Sequence, residues 1–203
     1  GWDAHNVTED ADLGIRLYRF GYRTILIPTV TREEANNRIV PWVRQRSRWL
    51  KGYIVTYLVH MRRPFRLLKD IGARKFLGFQ VFFLATILQF TLAPALWSFW
   101  LVCFGVATPL FEVIPADWAK GLLALFLFGE LVSLLTGFVA VGRTQHEGLM
   151  QWVPMMFFYF PLGVFAVYKA WSELLFKPFY WDKTEHGRSE PDVPGGDIHE
   201  TIR

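Results

Sequence analysis

Between Phe76 and Ala107 the chain runs for 32 residues without a Lys, Arg, Asp or Glu. As one helix that stretch would extend about 48 Å at ~1.5 Å per residue, against the ~30 Å hydrocarbon core of a bilayer. Pro94 lies inside it and has no amide hydrogen for a helical bond, so the sequence predicts a span kinked near Pro94. Two further apolar segments follow, 118–141 and 149–176. The first has the length of an ordinary transmembrane helix. The second holds Pro154 and Pro161, and it fits either a crossing or a broken amphipathic helix lying in the interface. The linker FEVIPADWAK before Gly121 is short and slightly acidic, as expected on the outer face.

Composition agrees with a mostly α-helical membrane protein. Of 203 residues 52% are apolar, with 19 Phe and 9 Trp, and only 20% are charged. The net charge of +4 is unevenly placed: Arg44 to Lys75 holds ten Lys or Arg and one acid, Asp70. Cations beside an apolar span mark the cytoplasmic side and favour anionic lipid, so the expected location is a bacterial inner membrane, with a lipid bilayer as partner and no nucleic acid. The lone Cys103 excludes a disulfide framework. The chain opens on GWDAHNVTED, with no Met and no signal peptide, and reads as the C-terminal portion of something longer.

Residues 1–40 look different. In EDADLGIRLYRFGYR, Leu13, Ile15, Leu17 and Phe20 recur among polar residues as in an amphipathic helix, and Gly21 is placed to end it. RTILIPTV then reads as a short buried strand bounded by Pro28. Helix followed by strand suggests the trailing edge of an α/β domain. Pro41 is expected to open an amphipathic interface-helix region over 41–75. The polar tail, 189–203, is expected to be disordered.

Three short motifs carry chemistry. Thr8, Glu9 and Asp10 stand at the expected helix start, where they suit either an N-cap with acids in the first turn or a carboxylate general base at Asp10. Asp10 and Asp12 imitate a metal-binding Asp-x-Asp, but no strand leads into them, and no metal site is expected among these residues. In QRSRW, residues Gln45, Arg48 and Trp49 fall at i, i+3 and i+4 on one helical face. That face offers an amide, a guanidinium fork suited to phosphate and an indole suited to stacking on a sugar. The same residues also suit a basic helix lying on lipid, with Arg44, Arg46 and Lys51 turned to head groups. The third motif is FYWDKTEHG, an aromatic group followed by polar residues.

The order of these motifs resembles the processive family 2 glycosyltransferases, the inverting membrane enzymes that include cellulose, chitin and hyaluronan synthases. The resemblance runs from residue 1 to about 188. It implies that Asp10 is the catalytic base, supported by Thr8 and Glu9, and that 1–40 is the end of a GT-A-like domain. It implies that Gln45, Arg48 and Trp49 bind acceptor and nucleotide. It further implies that 177–188 is a gating-like loop with Trp181, Thr184, His186 and Gly187 at its motif positions. Lys183 and His186 depart from the cellulose synthase form of that loop. Segment 149–176 would then lie in the interface, which keeps the loop on the catalytic side.

The function implied is extension of a polysaccharide acceptor from a nucleotide-sugar donor, with passage of the polymer through the membrane. A divalent cation, Mg or Mn, is expected with ligands outside this stretch of chain, which alone should be inactive. Two rivals remain: a non-processive family 2 transferase acting on a lipid or short acceptor, and a non-catalytic membrane scaffold.

Overall fold

The computed structural model describes residues 6, 8–25, 27, 29, 36, 38–104, 106, 115–142 and 147–180. Described this far, the protein is almost entirely helical. Helix α1 spans Glu9–Arg19, α2 Ile39–Met61, α3 Pro64–Ile71 and α4 Ala73–Phe79. A π-helical segment, Gln80–Ala85, joins α4 to α5, Thr86–Thr91. Then come α6, Ala93–Cys103, α7, Ala116–Gly142, a 3₁₀ segment, Glu147–Met155, and α8, Met156–Phe176.

Helix α1 ends where its sequence says it should. Phe20 leaves the helix, and Gly21 takes the left-handed conformation (φ 85°) that a side chain would disfavour. Among the described residues, the strand expected after it does not form. Arg23, Thr24, Ile25, Ile27 and Thr29 have no regular structure, and Ile25 and Ile27 are exposed. A lone strand leaves its backbone N–H and C=O groups without partners, and no second strand occurs among the described residues to supply them. The expected α/β edge is therefore represented here by its helix alone.

Helix α2 is the frame on which the rest is assembled. One of its faces packs on α8, the most extensive pairing of elements in the protein. Leu50 and Ile54 meet Ala166, Val167 and Ala170, with Ile87 of α5 closing the cluster. The small side chains of α8 allow this close approach, and Gly163 likewise leaves room for the ring of Phe90. A second cluster, Leu67, Ile71, Phe79 and Phe83, gathers α3, α4 and the π segment beneath Ile15 and Tyr18 of α1.

The long apolar stretch is helical from Ala73 to Thr91 and breaks at Leu92, two residues before Pro94. Proline in the first turn of α6 is tolerated there because the amide it lacks would be unsatisfied anyway. Among the described residues, one helix is long and apolar enough to cross a membrane, Asp117–Gly142. Gly148–Tyr159 and Pro161–Phe176 meet at a 45° bend and pass the same test only as a broken pair.

Candidate functional site

The stripe of α2 opposite α8 carries Gln45, Trp49, Gly52, Thr56 and His60 at successive spacings of three or four, with Arg48 beside Trp49. Gln45, Gly52, Thr56 and His60 each meet a residue from the chain that precedes α2. The Gln45 amide oxygen accepts from Asn36 Nδ2 at 3.0 Å. Gly52 lies directly beneath Thr8: a Cβ there would stand 2.5 Å from Thr8 Oγ1 and 2.9 Å from its backbone nitrogen. Thr56 Oγ1 accepts from Asn6 Nδ2 at 2.7 Å, and Asn6 Oδ1 in turn accepts from the Thr8 amide at 3.1 Å. His60 Nε2 lies 2.9 Å from Asp12 Oδ1, with both side chains buried. The turn bearing Thr8, Glu9 and Asp10 is thus seated one helical turn beyond Trp49.

Thr8 occupies the N-cap position of α1, but its hydroxyl makes no capping bond and turns to Asn6 Oδ1 instead. Its role is to sit on Gly52. Asp10 is exposed, and one of its oxygens accepts from the Ala11 amide at 2.8 Å. Tyr53 stands on the neighbouring face of α2. Burial pushes its phenol above the usual range, the Asp10 carboxylate pushes it further, and Arg46 opposes them. The phenol therefore remains protonated at neutral pH.

The cations are not placed as a lipid-facing helix would have them. Arg46 stacks over Trp49 at 4.4 Å and over Trp42 at 5.4 Å, so a guanidinium covers one face of the half-exposed Trp49 indole. Lys51 is buried, and its ammonium donates to the carbonyls of Lys177 (3.1 Å) and Tyr180 (3.0 Å), with Glu173 at 3.9 Å. Glu173 is shared with Lys169, one turn earlier on α8. Burial lowers the Lys51 pKa, Glu173 works against that and Lys169 with it. Neither Arg46 nor Lys51 is turned to head groups as expected: one is held by indoles, the other by a helix end. Arg44 is exposed.

The described chain ends at Tyr180, so Trp181, Thr184, His186, Gly187 and the tail 189–203 lie outside the described residues. Lys51 nevertheless fixes the last turn before them onto the helix that bears Trp49. Among the described residues no group of three His, Cys, Asp or Glu is placed to hold a metal ion. Asp12 is committed to His60 and, at 2.7 Å, to Arg16.

The sequence profile of the glycosyl transferase family group 2 matches residues 1–169. The chain belongs to that family. It is also 35% identical over 68 residues to a protein of Bacillus subtilis (strain 168) named "Probable glycosyltransferase YdaM". The aligned part is 33% of this chain and 16% of that relative, so the chain spans a minor part of the relative's length. No solved structure matches the chain.

Gly52, Thr56 and His60 escaped the motif reading, and Lys51 entered it only as a head-group cation. A signal for those three is present in retrospect, since Gly52, Thr56 and His60 continue the Gln45–Trp49 stripe at helical spacing.

Proposed function

We propose that this chain forms part of a membrane-embedded inverting glycosyltransferase that extends a polysaccharide from a nucleotide-sugar donor and passes it across the bilayer. The observation carrying this reading is the seat of Thr8 on Gly52. It puts the exposed Asp10 carboxylate and the Gln45–Arg48–Trp49 face on one side of one helix. In the reaction, Asp10 takes the proton from an acceptor hydroxyl. The freed oxygen attacks the anomeric carbon of the donor, the bond from that carbon to the diphosphate oxygen breaks, and the configuration inverts. The Trp49 indole stacks on the acceptor sugar and fixes its orientation, a positioning that lowers the barrier. Arg48 and Gln45 face the departing diphosphate and the acceptor hydroxyls.

A divalent cation, Mg or Mn, belongs to this proposal with ligands outside this stretch. The described residues do not form such a site, and no step above runs through it. Trp181, Thr184, His186 and Gly187 are assigned to a loop over the nucleotide on the strength of the motif alone.

The reading is tested in the full-length protein supplied with nucleotide-sugar. Asp10→Asn should lower kcat by roughly 10²-fold or more while donor affinity changes little, on the scale of general-base contributions. Turnover near wild type would reduce the Thr8–Asp10 motif to a helix start. Product length separates the readings: long chains support processive extension, and single additions to a lipid or short sugar favour the non-processive rival.

A further inference from the structure

Helix α3 is eight residues long and strongly two-sided. Leu67 and Ile71 are buried against the second core cluster. The other side exposes Arg66 and Lys69, with Arg62 and Arg63 just before the helix and Arg74 just beyond the corner at Gly72. None of these five cations has a partner among the described residues. At their centre Phe65 is 85% exposed, an aromatic ring with no side chain packed over it.

The nearby groups that would oppose an anion are already occupied. Asp70, the one acid of the segment, accepts from Arg19 Nε at 2.9 Å and from its NH2 at 2.8 Å. Lys75, still exposed, lies with its ammonium over the ring of Tyr18 at 3.4 Å. The patch is therefore cationic without internal compensation. It also adjoins the apolar run: Gly72, at φ 77°, turns the chain sharply from α3 into α4, whose helix continues to Thr91. Cations ringed around an exposed aromatic, at the end of an apolar helix, match the chemistry of a head-group layer with acyl chains below it.

We propose that the outer face of α3 docks on anionic phospholipid, with Phe65 entering the acyl boundary and Arg62, Arg63, Arg66, Lys69 and Arg74 binding head-group phosphates. This inference rests on the membrane reading above and adds to it a preference for lipid charge. An acidic surface of another protein is the competing occupant. Phospholipid is favoured because the aromatic sits at the centre of the charge and the patch is continuous with the apolar run.

The test uses full-length protein with Phe65→Cys carrying a bimane label and other cysteines replaced. It is reconstituted in phosphatidylcholine vesicles with or without phosphatidylglycerol. The emission should shift to the blue as the anionic fraction rises, and added salt should reverse the shift. Arg63→Gln and Arg66→Gln should each weaken the response by about fivefold, the scale of one cation at an anionic surface. Should those variants fail to insert, the salt titration of the labelled parent decides alone. Reconstitution with the same emission in both lipids, or a shift indifferent to salt, overturns the patch. Failure to reconstitute in either lipid overturns the membrane reading itself, and the patch with it.

Discussion

Gly52 shows how a residue without a side chain can fix a functional site. A glycine in a helix interior costs about 1 kcal/mol relative to alanine, so propensity alone would make Gly52→Ala stabilising. Packing says the opposite, because the new methyl would stand 2.5 to 2.9 Å from three atoms of Thr8. Overpacking of this kind costs roughly 1–3 kcal/mol and would be relieved by lifting the Thr8–Asp10 turn off α2. The expected outcome for Gly52→Ala is an intact helix by circular dichroism and a transfer rate lowered at least tenfold in the full-length protein. Gly14→Ala is the control: nothing lies within 4 Å of its Cβ position, and it should leave the rate unchanged. Asp10, Gln45, Arg48 and Trp49 could be picked out from sequence because their spacing is local. Lys51 could not. Lysine is almost never buried, and nothing in WLKGY signals that its partners lie 126 and 129 residues away.

At the scale of elements, α1 is joined to α2 and α3 by a buried polar network whose charge state depends on pH. His60 faces Asp12 and Arg19 of α1, Arg16 acts on it from the same helix, and Phe79 of α4 meets the ring edge-on. Burial lowers the His60 pKa from its ordinary value near 6.5, Asp12 pulls it back up, and the two arginines lower it. The folded state thus binds a proton less readily than the unfolded chain. Its stability advantage is complete above the unfolded pKa and is lost as pH falls from about 6.5 toward the lowered value. Thermal unfolding followed between pH 7.5 and 5.5 should show the wild type losing stability on acidification, and His60→Asn should flatten that slope. An equal slope in both would place the proton uptake elsewhere. The helices themselves were largely legible, α1 from its apolar spacing and Gly21, and the break at Leu92 from Pro94. The π segment was not, since QVFFLA contains no Gly or Pro to announce it. The missing strand failed for the converse reason: β-branched residues favour a strand only where another strand receives their hydrogen bonds.

For the molecule as a whole, the governing fact is an apolar exterior. Helix α7 exposes Leu125, Phe128, Leu131 and Leu135, with no residue buried in its most apolar 18-residue stretch, and its 27 residues reach about 40 Å at ~1.5 Å each. That exceeds a ~30 Å hydrocarbon core, so a crossing by α7 would require tilt. If α7 crosses and α8 lies in the interface, the two ends of this region face opposite sides. A cysteine placed at Asp117 should then react with an impermeant maleimide in intact cells, and one at Phe179 only after the cells are opened. Labelling of Phe179→Cys in intact cells would make 149–176 a crossing and move the segment after Tyr180 away from the catalytic side. The Lys51 contacts also set a schedule. Lys51 emerges from the ribosome well before Glu173, Lys177 and Tyr180, by roughly 6 to 25 s at ~5–20 residues per second. Over that interval the helix bearing Trp49 holds an ammonium whose acceptors have not been made, so the turn after α8 can be fastened to that helix only once residue 180 has been added.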